Sequence, residues 1–270
     1  MSRKIALYPF RTFKRLSARR EIGRYLESAA AKRLNVGAQT NVISGWMNVD
    51  LLPFPGVTFM DATKRWLFPD DTFEVVLCEH MIEHVPKPAG EFLLGEAFRV
   101  IAPGGRVRIV TPDMTSFARL ALGQDTPTSR AYLEVIGRRH PGVSRCDVVN
   151  MIYYGYGHRY IFSPEELSAM MAEAGFSDIS ETRAGYPADP AFEGAEGHPQ
   201  LLGREENGFE AFALEATKRA SSAAAKPPRA ARAATKDQNQ ALDGRPAAAA
   251  KEAPTALAYA RIPSSPRQPR

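Results

Sequence analysis

The chain has 270 residues, 44% of them hydrophobic, which suffices for one domain of roughly 200 residues with extensions. Its two cysteines, Cys78 and Cys146, exclude a disulfide scaffold and any zinc module built from several cysteines. The net charge of +5 divides into two basic ends, residues 1–33 and 219–270, and an acidic middle, so it does not indicate a nucleic-acid-binding fold.

The two basic ends differ in character. Residues 11–33 have apolar residues near helical spacing, which predicts a basic amphipathic helix that either packs on its own domain or lies on an anionic membrane. Residues 219–270 are rich in Ala, Pro, Lys and Arg, and we expect a disordered tail because such a segment buries too little apolar surface to become ordered. The sequence leaves open whether these two ends make weak contact with anionic surfaces.

From the sequence we expect neither an export signal nor a membrane-spanning segment. No apolar run approaches the roughly 20 residues of a transmembrane segment. The apolar patch IALYPF at the start is shorter than a secretory signal requires. We therefore expect a cytoplasmic protein.

From residue 33 onwards, short apolar strands alternate with helices. The predicted strands are, in order, RLNVG, GWMNVDL, GVTFMDA, FEVVLCEH, RVRIVTPD, FSDISETRA and GFEAFALEATK. Two helices are predicted, AGEFLLGEAFRVI and SPEELSAMMAEAGF, the second with Ser163 as its N-cap and Gly175 at its end. This alternation predicts a parallel, three-layer α/β sheet, on which ligands bind beyond the carboxyl ends of the strands.

The carboxyl ends of the first four strands carry residues suited to an adenosine-containing cofactor. Gly37 permits a tight turn and a close approach to a ligand. Asp50 is placed to accept hydrogen bonds from both ribose hydroxyls, and Asp61 with the Ala62 amide to bind an adenine edge, although an aspartate there is also commonly only a turn residue. The predicted cofactor-binding residues are Asn35, Gly37, Ala38, Gln39, Asp50, Asp61, Ala62, Glu79 and His80.

Four segments carry a family resemblance: LNVGAQTNVISGWMNVDL, FPDDTFEVVLCEHMIEHV, FRVIAPGGRVRIVTPD and GHRYIFSPEELSAMMAEAGF. Together they resemble the class I S-adenosylmethionine-dependent methyltransferases, and more closely a bacterial branch with GWxNVD and EHxxEH motifs. The resemblance implies a Rossmann-like sheet of seven strands with the last antiparallel, S-adenosylmethionine across the strand ends, Asp50 on the ribose and Asp61 near the adenine. Together with the composition of the two ends, it divides the chain into three expected parts: a basic helical extension in 1–33, a methyltransferase domain in 34–218 and the tail in 219–270.

The end of the first strand departs from the family pattern. Asn35 stands where these enzymes usually have an acid, and Gln39 where they have a second glycine. A positive φ at Gln39 would cost on the order of 1 kcal/mol. The connection over residues 37–45 is shorter than the dozen or so residues of an ordinary parallel crossover, so we expect a first helix of one turn or less.

The segment His80-Met81-Ile82-Glu83-His84 matches H-x-x-E-H, the signature of one class of zinc peptidases. Zinc ligands at positions i and i+4 need a helix, so that both imidazoles face one side. His80, however, is predicted at a strand end, with Pro86 and Pro88 close behind. A zinc metallopeptidase through His80, Glu83 and His84 is therefore only a third hypothesis, and we expect no metal site.

The acceptor side is assigned to the histidines near the strand ends and the segment around His158. An oxygen acceptor needs a base with a pKa near 7, so His80 and His158 are the predicted catalytic residues, with Asp113 as a further acceptor-side residue. Arg138, Arg139 and Arg145 lie in the insertion over residues 120–157 and would suit an anionic acceptor.

The nature of the acceptor follows only from analogy. The similar branch is often linked to glycoconjugate assembly, which implies O-methylation of a small molecule or a sugar. The second hypothesis is a catalytically inactive methyltransferase-fold protein that binds partners. Cofactor binding would separate the two.

Overall fold

The computed structural model describes residues 7–52 and 54–220, with side chains from residue 17 onwards. The predicted tail over residues 219–270 therefore lies almost entirely outside the described residues. None of the described helices is both long and apolar enough to cross a bilayer.

A sheet of seven strands forms the centre of the domain. The strands are β1 (Arg33–Val36), β2 (Met47–Asp50), β3 (Thr58–Phe59), β4 (Phe73–Glu79), β5 (Ile101–Pro112), β6 (Ser177–Arg183) and β7 (Ala211–Thr217). Their order across the sheet is β3-β2-β1-β4-β5-β7-β6. β1 to β5 pair in parallel, and β7 pairs antiparallel with both β5 and β6. The predicted seven-stranded sheet with an antiparallel last strand is confirmed.

Eight helices are described: α1 (Leu7–Ser28), α2 (Lys87–Val100), α3 (Met114–Ala121), α4 (Pro127–Arg139), α5 (Arg145–Asn150), α6 (Pro164–Ala174), α7 (His198–Leu202) and α8 (Arg204–Glu210). Apolar residues of α1, α2 and α6 pack on one face of the sheet in the largest core cluster. On α6, Ser163 accepts a hydrogen bond from the Glu166 N–H and Gly175 ends the helix with φ +110°, as predicted.

The basic helix predicted over residues 11–33 ends at Ser28, before the first strand. Ala18 and Ile22 are buried, and the Thr58 hydroxyl on β3 donates to Glu21 Oε2 at 2.7 Å. The Tyr25 hydroxyl donates to the Arg33 carbonyl at 2.9 Å. The described part of the helix thus packs on its own domain, which is one of the two alternatives that the sequence leaves open.

The opposite face of the sheet is covered by residues 184–203, which we call the covering segment. Phe192 and Ala195 of this segment pack against Val75, Leu77 and Val110 of the sheet. The sequence pattern did not predict this segment as a separate unit. The last strand was also predicted to start too early, because residues 208–210 of GFEAFALEATK end α8 and β7 begins at Ala211.

Candidate active site at the carboxyl ends of the strands

A left-handed turn follows β1. Gly37 has φ +77° and Gln39 has φ +44°. Gln39 therefore adopts the strained, positive φ that its place in the family pattern suggested. The N–H groups of Gly37 and Ala38 both donate to the Val49 carbonyl, at 2.9 and 3.0 Å. A Cβ on Gly37 would lie 2.6 Å from the Cβ and Cγ of Met81. The turn therefore requires glycine at residue 37 for its φ and for the close approach of Met81.

Two buried asparagines hold the short connection between β1 and β2. Asn35 Nδ2 donates to the Asn41 carbonyl at 2.8 Å and to Asn48 Oδ1 at 3.1 Å. The Asn48 amide both accepts from and donates to the backbone of Ile43, each at 2.9 Å. No helix forms over residues 37–46, as expected. The side-chain NH₂ group of Asn35 is thus committed inside the protein, which favours a role in supporting the turn over the cofactor contact predicted for it.

Asp50, at the end of β2, is hydrogen-bonded to the turn after β1. Its Oδ2 accepts the Gln39 N–H at 3.1 Å, and its Oδ1 accepts the Leu52 N–H at 2.7 Å. Burial raises the pKa of Asp50, and these backbone donors oppose that effect. The carboxylate thus lies beside Gly37 and Gln39, as the sequence predicts.

Asp61 and Ala62 form the turn after β3. Asp61 Oδ1 accepts both the N–H and the hydroxyl of Thr63, at 3.1 and 2.6 Å. Its Oδ2 accepts no hydrogen bond from the described residues. Ala62 is 5% exposed, and its carbonyl accepts the Trp66 indole N–H at 3.1 Å. Asp61 is therefore a turn-forming residue with one carboxylate oxygen left for a ligand.

Glu79, at the end of β4, holds the covering segment. Its Oε2 accepts the Gly197 N–H at 2.8 Å, and its Oε1 accepts the His198 N–H at 2.9 Å. Asn41 Nδ2 also lies 3.3 Å from Oε2. Three of the roughly four acceptor positions of this carboxylate are therefore taken by the protein, and this geometry favours a structural role for Glu79 over the predicted contact with a cofactor.

His80 follows with φ +46°, and Glu83 orients its ring. His80 Nδ1 lies 3.2 Å from Glu83 Oε1, and the ring stacks on that of His198 with centroids 3.9 Å apart. Burial disfavours the charged imidazole, but Glu83, Glu210 and Glu79 together raise the pKa of His80 to about 9. The hydrogen bond and charge of His80, together with the nearby His84 and His158, outweigh the burial of Glu83 and lower its pKa to about 2.

His158 lies close to both Glu83 and His84. Its Nδ1 donates to the Ile152 carbonyl, and its ring meets that of His84 edge to face with centroids 4.8 Å apart. Burial lowers the pKa of His158, which favours the neutral imidazole. The hydrogen bond to Ile152 fixes the proton on Nδ1, so Nε2 is the nitrogen that can accept a proton.

Two residues of this site were not predicted from the sequence, His198 and Glu210. His198 Nε2 lies 3.0 Å from Glu210 Oε1, and the Tyr132 hydroxyl donates to Glu210 Oε2 at 2.7 Å. With them, four of the five histidines of the chain meet at one place. We call the following residues the histidine cluster: His80, Glu83, His84, His158, His198 and Glu210.

The geometry also bears on two other hypotheses from the sequence. Ile82–His84 forms a single 3-10 turn, so His80 and His84 do not project from one helix as the peptidase hypothesis requires. Asp113 caps α3 through the Thr115 N–H at 2.8 Å and the Ser116 hydroxyl at 2.6 Å, which explains it as a helix N-cap.

Some solved structures resemble this chain at low identity. Phosphoethanolamine N-methyltransferase 2 of Haemonchus contortus, in complex with S-adenosyl-L-methionine, is 15% identical with a TM-score of 0.41; the match covers 70% of this chain and 49% of that one, so the chain spans about half its length. A SAM-dependent methyltransferase from Archaeoglobus fulgidus is 16% identical over 79% of this chain and 98% of that one, with a TM-score of 0.44.

Sequence comparison gives the family. No curated protein sequence matches the chain. A family model described as a methyltransferase domain matches residues 13–181, which include most of α1, the turn after β1, Asp50 and the segment from Glu79 to His84. The chain belongs to this methyltransferase-domain family.

Proposed function

We propose that the protein binds S-adenosylmethionine across the ends of β1, β2 and β3 and transfers its methyl group to an oxygen atom of a small molecule or a sugar. The observation that carries the proposal is the position of the Asp50 carboxylate beside the left-handed turn at Gly37 and Gln39. This arrangement places an acceptor for a diol next to a tight left-handed turn at the end of β1, at the edge of the sheet where parallel α/β folds bind ligands.

The residues present fit the adenosyl group. An ionised carboxylate has about four acceptor positions. Backbone N–H groups of Gln39 and Leu52 take one on each oxygen of Asp50, so about two remain for ribose hydroxyls. Asp61 Oδ2 is available at the next strand end for the edge of the adenine. Asn35 and Glu79 are committed to the protein, and in this proposal they shape the site without contacting the cofactor.

The bound cofactor supplies an electrophilic methyl group, and the protein's own task is to position the acceptor and exclude water. The covering segment suits the second task, because Glu79 fixes it to the end of β4 next to His80. An acceptor hydroxyl must also lose a proton. His158 can take it, since its proton is held on Nδ1 and burial favours the neutral ring.

The structure gives less support to an anionic acceptor. Arg145 already pairs with Asp125 at 2.8 Å, and Arg139 donates to the Leu201 carbonyl. Two of the three arginines expected to bind such a group therefore serve contacts within the protein, which favours a neutral hydroxyl compound or sugar.

A transfer assay tests the choice of atom. The protein would be incubated with methyl-labelled S-adenosylmethionine and a panel of phenols, sugars and primary amines. We expect labelled product from hydroxyl compounds, and a His158→Asn variant should lower kcat by about 10²–10⁴-fold while S-adenosylhomocysteine binds as tightly as before. The matched control is His140→Asn, because His140 is exposed outside the histidine cluster. Methylation of amines alone would refute O-methylation.

A further inference from the structure

The histidine cluster contains a set of atoms that resembles a metal site. His80, His198 and Glu210 each offer one ligand atom, and these three atoms lie within 4.8 Å of one another. The three residues come from the end of β4, the covering segment and the end of α8, so the fold brings them together from distant parts of the chain. Two imidazoles with one carboxylate are a common ligand set for divalent transition metals.

His80 has one nitrogen without a partner. Its Nδ1 is engaged by Glu83, whereas its Nε2 is buried and meets no hydrogen-bonding atom among the described residues. A buried nitrogen in this condition is costly unless something binds it. A metal-bound histidine commonly donates its other N–H to a carboxylate, and Glu83 stands in that position.

Glu210, like His80, has one side-chain atom held by a neighbouring residue and another directed towards the candidate metal site. Its Oε2 accepts the Tyr132 hydroxyl at 2.7 Å, which orients the carboxylate and leaves Oε1 towards His198. Glu210 is 7% exposed and Glu83 is fully buried. No lysine or arginine among the described residues forms an ion pair with either one. Two buried carboxylates compensated only by histidines make a site that favours a further cation.

The second group of metal-capable atoms, from Glu83, His84 and His158, is less suitable. Glu83 already binds His80 Nδ1 and the Thr111 hydroxyl, one with each oxygen. Its carboxylate is therefore placed as the supporting partner of His80, which assigns the ion to the other group.

We propose that His80, His198 and Glu210 bind one divalent transition-metal ion, with zinc or manganese as the ions to test. Zinc ligands at about 2.0–2.2 Å in a tetrahedral site lie roughly 3.3–3.5 Å apart. Ligand atoms within 4.8 Å of one another would reach that spacing through small rotations of the three side chains. The ion would also fasten the covering segment, which supplies His198, to the end of β4.

A three-ligand site keeps a coordination position for an oxygen atom of a substrate. Its use on the acceptor hydroxyl rests on the proposed function, but metal binding itself does not. His80 would then act on the acceptor through the ion, and His158 would remain the proton acceptor.

The test is a titration of the full chain after treatment with a chelator that is then dialysed away. Zn²⁺ alone and Mn²⁺ alone are titrated by calorimetry, and bound metal is counted by elemental analysis. We expect one equivalent of at least one ion per chain. His198→Gln and Glu210→Gln should each weaken binding at least about tenfold, and His140→Gln should leave it unchanged. Should either ligand variant fail to fold by circular dichroism, Tyr132→Phe removes only the hydroxyl on Glu210 and should also weaken binding about tenfold.

Three outcomes would overturn the site: no stoichiometric binding of either ion by the folded wild type, binding unaffected by the ligand variants, or binding lost in His158→Gln but kept in His198→Gln. S-adenosylhomocysteine is titrated into the same preparation with and without metal. Metal binding without binding of S-adenosylhomocysteine would refute the proposed function and support the metal site. Binding of S-adenosylhomocysteine without metal binding would refute the metal site and support the proposed function.

Discussion

The two halves of the site are held together by different forces. The half to which we assign the cofactor, residues 35–62 (the cofactor half), depends on a left-handed turn and on neutral amides, with Asn35 and Asn48 in place of a crossover helix. The half to which we assign the acceptor, the histidine cluster and the covering segment (the acceptor half), depends on buried charges. There Arg108 is fully buried and pairs with Glu196 and Glu215, each at 2.6 Å.

This difference explains which departures from the family pattern the chain tolerates. A neutral amide network preserves the backbone shape of the turn, so an asparagine and a glutamine can replace the usual acid and glycine there. A buried charge network tolerates substitutions less well, because the loss of one partner leaves another charge unpaired in the protein interior, which solvates it poorly. We therefore expect substitutions in the acceptor half to have the larger effects on stability.

The largest effect should come from Arg108→Met. The change leaves Glu196 of the covering segment and Glu215 of β7 without their cation, and we expect the free energy of unfolding to fall by about 3–5 kcal/mol. Denaturant unfolding measures it. The triple variant Arg108→Met, Glu196→Gln, Glu215→Gln should recover part of the loss, since no buried charge is stranded. If the free energy of unfolding of Arg108→Met fell by less than about 1 kcal/mol, the acceptor half would not be more sensitive to substitution than the cofactor half, contrary to our account.

The next effect concerns binding. Asp50→Ala should weaken S-adenosylhomocysteine binding about 10- to 100-fold, because the ribose hydroxyls lose a charged acceptor. Calorimetry measures the affinity, and circular dichroism confirms folding, since Asp50 also binds two backbone N–H groups. Asp61→Asn is the milder comparison and should change affinity less. Unchanged affinity in Asp50→Ala would show that the end of β2 does not bind the ribose.

Alanine substitutions at two glycines of similar conformation distinguish the cost of backbone strain from the cost of a steric clash. Gly37 and Gly45 have φ of +77° and +78°, but a Cβ would collide with Met81 only at Gly37 and would meet open space at Gly45. Alanine at Gly45 should destabilise the protein by about 1 kcal/mol, and alanine at Gly37 by about 2–3 kcal/mol. Thermal and denaturant unfolding give both values. Equal losses would show that Met81 moves aside freely and that the turn is less tightly packed than we infer.

The smallest effect is expected at Gln39. A glycine at this position would adopt the positive φ without strain, but it would also raise the conformational entropy of the unfolded chain. Gln39→Gly should therefore raise the free energy of unfolding by less than about 1 kcal/mol. A decrease of more than about 1 kcal/mol would mean that the Gln39 side chain makes a stabilising contact of its own.

The sequence was sufficient for the sheet because its signals are local. All seven predicted strands appear, since each is a short apolar run bounded by turn residues, and α6 carries its own N-cap and glycine end. The expectation of a first helix of one turn or less followed from the length of the connection alone, and no helix forms there. Gly37 and Asp50 could be placed because Gly37 directly follows β1 and Asp50 ends β2, and the ends of these strands meet at one edge of the sheet.

The acceptor half was only partly predictable because its contacts join distant residues. Glu79 and His80 were located at the end of β4, but their partners Gly197 and His198 lie in a segment with no periodic pattern. Glu210 had one usable signal: it directly precedes an antiparallel last strand, whose start lies beside the carboxyl ends of the parallel strands. Charge–charge pairing across a fold leaves no spacing rule in the sequence, and Arg108 was missed for the same reason.

The most direct measurement of the central claim is a calorimetric titration of the purified full-length protein with S-adenosylhomocysteine. We predict binding at one site per chain with a dissociation constant on the order of micromolar, which would show that Asn35 and Gln39 are compatible with a working cofactor site. No heat of binding up to millimolar ligand would contradict the account, because the fold would then be present without the cofactor chemistry that we assign to it.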